Sequence, residues 1–187
     1  MRIIAGIFKG TKIDHPKNKN TRPLKDSVRE NIFNILSHSN KINFLFEKSN
    51  ILDLYAGSGS FGLECISRES KNVCFIEKEK YALKVLEKNI KKLDPEGKNK
   101  LLLGDTIKIL EKKNIFIEKF DLIFCDPPYK DLNIQKLINL IFSSNILSKN
   151  GIIILHRSKN TTEILPNVFK IIDERAYGLS KIYFGKF

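Results

Sequence analysis

The sequence predicts an α/β fold, a mostly parallel sheet with helices on both faces and an antiparallel strand pair at the C-terminal edge. Three observations lead there. Short, continuously apolar runs alternate along the chain with segments whose apolar residues recur at helical spacing. A G-x-G-x-x-G follows the first of these runs and opens a helical pattern. The last two apolar segments, 168–172 and 181–184, leave no room for a helix between them. With 187 residues, 42% hydrophobic and 29% charged, the chain has material for one core rather than two.

The elements follow in order. Residues 2–7 and 11–14 read as two short extended pieces around Lys9-Gly10, and 15–20 as a polar loop. Together they make a small basic N-terminal hairpin over 1–24, ahead of a domain over 25–187. A helix begins with Asp26 or Ser27 as its expected cap, since Glu30 stands three residues after Ser27 at capping-box spacing. Val28, Ile32, Ile35 and Leu36 give it a core face. Next come a strand at 51–55, a helix from about 61, a strand at 73–76, and a helix with Ala82, Val85, Leu86 and Leu93 on one face. A strand at 101–103, a short helix at 107–110, a strand at 121–125, a helix carrying Ile134, Leu137, Ile138 and Ile141, and a strand at 152–155 complete the alternation.

Several function classes fall away. No apolar run approaches the roughly 20 residues that a membrane helix needs, and Met1-Arg2-Ile3-Ile4-Ala5-Gly6 leads into charges rather than a signal core. A cytoplasmic protein without a membrane partner is expected. Cys65, Cys74 and Cys125 are odd in number and form no C-x-x-C pair, so neither a disulfide framework nor a zinc site is indicated, and the three histidines add no metal signal.

Charge points outward. Lys and Arg outnumber Asp and Glu by 33 to 21, a net charge of +12. A Lys-, Ile- and Asn-rich composition of an AT-rich genome accounts for that excess as readily as a polyanionic partner does. The distribution favours the partner: Arg2, Lys9, Lys12, Lys17, Lys19, Arg22 and Lys25 stand against Asp14 alone in the first 25 residues. Such a localised segment is an electrostatic footprint for phosphates.

Ile51-Leu52-Asp53-Leu54-Tyr55 runs into Ala56-Gly57-Ser58-Gly59-Ser60-Phe61-Gly62. After a strand and before a helix, such glycines let backbone N–H groups approach a ligand, although they also suit a bare strand-to-helix turn. Glu77, at the end of the next strand and 20 residues after Gly57, can accept from two ribose hydroxyls, or can be a solvated acid that opens a helix beside Glu79. Gly104-Asp105 ends the third strand, where a carboxylate serves an adenine amino group, a helix cap, or both. The expected cofactor set is Asp53, Gly57, Gly59, Glu77 and Asp105.

To this point a dinucleotide dehydrogenase and an S-adenosylmethionine enzyme fit equally. Asp126-Pro127-Pro128-Tyr129, at the exit of the fourth strand, separates them. Two prolines offer no N–H, so the turn can only accept hydrogen bonds, which suits an amine. The Asp126 carboxylate and the Pro127 carbonyl would take both hydrogens of an exocyclic NH2 and draw its nitrogen toward tetrahedral geometry. Tyr129 offers a ring on which an extruded base stacks. The competing reading is a rigid exit turn with a core tyrosine. A sulfonium methyl is already activated, so in-line placement carries the rate, and the amine's proton goes to Asp126 or to water.

These residues resemble the Rossmann-like class I S-adenosylmethionine-dependent methyltransferases, and more narrowly the RsmD family, which methylates guanine N2 in small-subunit 16S ribosomal RNA. The narrower likeness rests on Arg2-Ile3-Ile4-Ala5-Gly6 with Lys9-Gly10, on Arg22-Pro23 followed by Asp26-Ser27-Val28-Arg29-Glu30 and Phe33, and on the late Tyr177-Gly178. Leu24 departs from the family's usual Thr after the proline. Arg29 and Glu30 alternatively form a surface ion pair.

The resemblance implies that the glycine loop and Glu77 hold S-adenosylmethionine and that Asp126, Pro127 and Tyr129 receive the base. It also implies that Arg2, Lys9, Lys12 and Arg22 grip RNA, the partner being 16S rRNA or the assembling small ribosomal subunit; a monomer is expected. A DNA adenine-N6 methyltransferase and a non-catalytic RNA-binding or assembly protein are the alternatives. Against the first, 187 residues leave little mass for a domain that reads duplex sequence.

Overall fold

A computed structural model of the chain describes residues 1–16, 24–94, 97, 99–112 and 114–187. Among these residues the strands are β1 Asn50–Leu54, β2 Asn72–Glu77, β3 Lys100–Leu103, β4 Phe120–Cys125, β5 Leu147–Ser158, β6 Lys170–Tyr177 and β7 Ser180–Lys186. They form one sheet in the order β3-β2-β1-β4-β5-β7-β6. β1 to β5 pair in parallel, and β7 runs antiparallel to both β5 and β6. The helices are α1 Asp26–His38, α2 Ser60–Ser67, α3 Lys80–Leu93, α4 Thr106–Leu110 and α5 Ile134–Ser143. The predicted α/β architecture, with its antiparallel C-terminal pair, is the one found.

The central strands are apolar on both faces because both faces are covered. Ile51, Phe75, Phe124 and Ile154 pack with Phe33 of α1, Phe61 of α2 and Leu86 of α3. Phe61 stacks between Phe124, at a centroid distance of 4.0 Å, and Phe33, at 5.0 Å. Leu52, Ile76, Ile123 and Ile153 form the opposite core with Ile109 of α4 and with Leu137, Ile138 and Ile141 of α5. No helix among the described residues is long and apolar enough to cross a membrane, and the three cysteines are buried thiols.

The order of the strands positions the site. From β1 the chain moves outward through β2 and β3, then returns to place β4 on the other side of β1. Connections that diverge in this way open a crevice at the carboxyl ends of the two neighbours, β1 and β4. Leu54 stands in register with Cys125, and the Asp126 N–H donates to the Leu54 carbonyl at 3.4 Å. The glycine loop and the D-P-P-Y turn therefore start side by side.

Two details differ from the sequence-based expectations. The α1 cap is Lys25, with no side-chain bond, because the Asp26 carboxylate is drawn instead to Arg29 Nη2 at 3.1 Å. β5 begins at Leu147, five residues before the expected strand, since Ser148, Lys149 and Asn150 interrupt its apolar pattern. At the C-terminus β7 inserts between β5 and β6. Its Ile182, Tyr183 and Phe184 are buried, whereas β6 is largely exposed and suits the edge.

The N-terminal hairpin is tied to the main core. Its strands meet at one bridge, Arg2 opposite Lys12, with Ile3 N–H donating to the Thr11 carbonyl and Gly10 N–H to that of Ile3. The Glu64 carboxylate of α2 accepts from Ile4 N–H at 2.8 Å and Ala5 N–H at 2.9 Å, which turns the chain before it can extend as a strand. Ile3, Ile13 and Leu24 are buried with α1 and α2. An apolar Leu24, where the family pattern has a hydroxyl, thus packs into this core.

Candidate active site

The loop after β1 takes the left-handed backbone three times, at Tyr55 (φ 63°), Gly57 (φ 57°) and Gly59 (φ 79°). A non-glycine residue in that region stores strain that surrounding structure must hold, a pattern common at functional sites. At Gly59 a Cβ would come within 2.3 Å of Leu86 Cδ1, so the residue is glycine for packing. At Gly57 a Cβ would meet nothing within 4 Å. That backbone faces the open crevice.

Carboxylates line this end of the sheet. Glu77 is buried at the tip of β2, where Oε2 accepts from Gly57 N–H and Oε1 from Glu79 N–H, each at 2.7 Å. Gly104 N–H donates to the Glu77 carbonyl at 3.0 Å, which brings Asp105 alongside; its side chain accepts from Lys108 N–H at 3.2 Å and caps α4. Asp53 does not reach the crevice. It is 1% exposed, and its Oδ2 accepts from Gly62 N–H at 2.9 Å, holding the first turn of α2 from beneath. Burial pushes its carboxyl up to about 8, against the lowering effect of the Gly62 bond and with help from the charges of Asp126 and Glu77. Asp53 thus supports the loop, and the expectation of direct ligand contact does not hold for it.

Opposite, the D-P-P-Y turn is clamped by Arg157, which is 1% exposed. Its Nη1 donates to the carbonyls of Pro127 (3.3 Å) and Pro128 (2.9 Å), and its Nη2 to those of Tyr129 (3.1 Å) and Asp131 (2.9 Å). Its Nε donates to the Glu163 carboxylate. The Pro127 carbonyl, expected to face an amine, is turned instead to this guanidinium, and the Pro128 carbonyl also accepts from Asp131 N–H at 2.8 Å. Asp126 is half-buried, with Oδ1 at 2.8 Å from His156 Nδ1. His156 Nε2 lies 3.3 Å from the Tyr129 hydroxyl and 3.0 Å from Ser180 Oγ.

Arg2, Lys9 and Lys12 are exposed on the hairpin; Arg22, with Lys17 and Lys19, lies outside the described residues. Arg29 forms no surface pair with Glu30. It is fully buried and donates to the Arg2 carbonyl and to the Ser60 carbonyl at 3.2 Å, joining the hairpin to the start of α2. Asn89 adds a second tie, donating to the carbonyls of Asp14 (2.9 Å) and Ser58 (3.1 Å). His156, Arg157 and Glu163 were not among the residues expected at the site. The one signal for the first two is a His-Arg pair directly after the apolar run 152–155, at the carboxyl edge of the sheet.

Residues 1–186 match the family described as Conserved hypothetical protein 95. A ribosomal RNA small subunit methyltransferase D of Buchnera aphidicola is 35% identical over 164 residues, covering 88% of this chain and 81% of that protein. The protein of the same name in Haemophilus influenzae is 30% identical over 179 residues, covering 96% and 90%. A solved candidate methyltransferase from Escherichia coli superimposes with a TM-score of 0.83 at 26% identity, over 99% of this chain and 96% of that one. The resemblance drawn from the hairpin, the R-P segment and the two loops is therefore borne out: the chain belongs to the ribosomal RNA small subunit methyltransferase D family and is a methyltransferase.

Proposed function

We propose that this chain transfers a methyl group from S-adenosylmethionine to the exocyclic N2 of a guanine in 16S rRNA, acting in the cytoplasm on the RNA or on the assembling small subunit. The observation that carries the reading is the placement of an acceptor-only turn, Asp126-Pro127-Pro128-Tyr129, beside the glycine loop at the point where the strand order reverses.

Gly57, Glu77 and Asp105 would hold the cofactor, with Gly59 shaping the loop. Gly57 is open toward the crevice, and Glu77 stands ready for ribose hydroxyls. When bound, S-adenosylmethionine supplies a methyl group on a cationic sulfur, which leaves as a neutral thioether. Glu77, Asp105 and Asp126 make this end of the sheet acidic, which favours a cation over the diphosphate of a dinucleotide. Asp126 takes one amine hydrogen. With its carbonyl bonded to Arg157, Pro127 offers at most a second lone pair, so Asp126 carries more of the orientation than the sequence alone suggests. Tyr129 stacks the base, a contact worth roughly 1–3 kcal/mol. Arg2, Lys9, Lys12 and Arg22 neutralise RNA phosphates.

The test supplies labelled S-adenosylmethionine with 16S rRNA, unmodified small subunits and plasmid DNA, followed by mass spectrometry of the nucleosides. N2-methylguanosine in RNA is the expected product. Label confined to adenine in DNA would refute the reading. So would an Asp126→Ala variant that keeps full turnover.

A further inference from the structure

His156 is 5% exposed on β5, and three side chains, from the turn after β4 and from β7, converge on its ring. Asp126 follows β4, Tyr129 ends the turn, and Ser180 opens β7. The imidazole lies edge-on to the Tyr129 ring, with centroids 5.7 Å apart and planes at 80°. A ring nitrogen 2.8 Å from a carboxylate donates to it, so Nδ1 carries the proton. In the neutral ring Nε2 is then an acceptor, and the hydroxyls of Ser180 and Tyr129 are the donors that face it.

We propose that His156 is a positioning residue for methyl transfer: as the neutral Nδ1–H imidazole it anchors Oδ1 of Asp126, leaves Oδ2 for the amine, and holds Tyr129 through Nε2. The proposal rests on the functional reading above. As the amine nitrogen gains its bond to the methyl carbon it sheds one proton, and the unshared oxygen of Asp126 is the acceptor at hand.

The groups that share this region are few. Asp126 follows β4, Asp53 lies on neighbouring β1, and Tyr129 comes from the turn. On β6, Tyr177 stands opposite Ser180, and Arg175 stands opposite Ile182 and is paired with Asp173 at 2.9 Å. Arg157, next in sequence, is engaged by the turn carbonyls and Glu163.

Two measurements test this. In 15N-labelled protein the His156 signal, assigned by its loss in His156→Asn among the three histidines, should report the Nδ1–H tautomer at neutral pH; the Nε2–H tautomer would overturn the proposal. In methyl transfer to unmodified small subunits, His156→Leu should lower kcat by tenfold or more, with cofactor Kd within twofold of wild type. His156→Asn, whose amide replaces Nδ1–H but not Nε2, should recover most of that turnover. Variants that both match wild type, a His156→Asn variant no more active than His156→Leu, or a His156→Leu loss shared equally by cofactor binding would each overturn it. A wild-type chain that methylates no RNA refutes the functional reading and this proposal together, whereas an active wild type with those variant results refutes the proposal alone.

Discussion

The Glu77 carboxylate accepts the Gly57 N–H at 2.7 Å, a bond that spans the ends of β2 and β1 and fixes the entrance of the glycine loop. Its other oxygen is held by the Glu79 N–H, so the group is aimed before any ligand arrives. Glu77→Gln sets an amide NH2 against one of these donors, and the fold should lose about 1–3 kcal/mol. S-adenosylmethionine at 100 times its Kd should stabilise the wild type by about 2.7 kcal/mol; a tenfold weaker variant should gain only about 1.4 kcal/mol at the same concentration. Paired thermal melts with and without cofactor read both numbers.

Arg157 holds four carbonyls and the Glu163 carboxylate while almost fully buried. Arg157→Met strands that carboxylate, whose side chain is 7% exposed, and should cost about 3–5 kcal/mol in urea unfolding. The double variant Arg157→Met with Glu163→Gln should lose less than the two single losses summed, because the stranded charge is gone. Turnover should fall in both, with cofactor affinity little changed, since the turn and not the glycine loop has been released.

What could be read directly from the sequence was local. The alternation of strands and helices, the glycine spacing, Glu77 and the D-P-P-Y turn each lie within a few residues of the feature that announces them. His156 and Arg157 are about 30 residues from the turn they support, and only the β4–β5 register, Cys125 opposite Leu155, brings them to it. Arg29 was misread for a different reason. Its spacing to Ile32, Phe33 and Leu36 puts it on the buried stripe of α1, and that periodicity outweighs the neighbouring Glu30 that suggested an ion pair. Pro127 lies in a turn whose two prolines offer no N–H, but which donor claims its carbonyl depends on a strand still to come in the chain.

Gly57 and Gly59 share a left-handed backbone but should respond differently to alanine. Gly59→Ala adds a contact 2.3 Å from Leu86 Cδ1 to the backbone strain, for a loss of about 2–4 kcal/mol. Gly57→Ala meets open space and should lose only the backbone part, about 1–2 kcal/mol. For cofactor binding the order reverses once each variant is folded: the methyl at position 57 projects into the crevice, so its calorimetric affinity should drop further than that of Gly59→Ala. Equal effects in both assays would argue that Gly57 does not face a ligand.

Asp53 gives the stability a pH dependence of definite sign. Its carboxyl is pushed up to about 8 from an ordinary 3.8, with burial the main cause. The folded state therefore holds a proton that the unfolded chain has released. The stability this contributes is complete below about pH 4 and drains away as pH rises through 8, at up to about 1.4 kcal/mol per pH unit. Asp53→Asn keeps an oxygen for the Gly62 N–H and has no proton to lose. Other titrating groups are common to both proteins, so the difference between variant and wild type isolates Asp53. From pH 4 to pH 8 that difference should move in favour of the variant by a few kcal/mol and level off above. Denaturant midpoints for the two proteins at several pH values measure it, and curves that stay parallel across this range would mean that Asp53 is ionised in the folded protein.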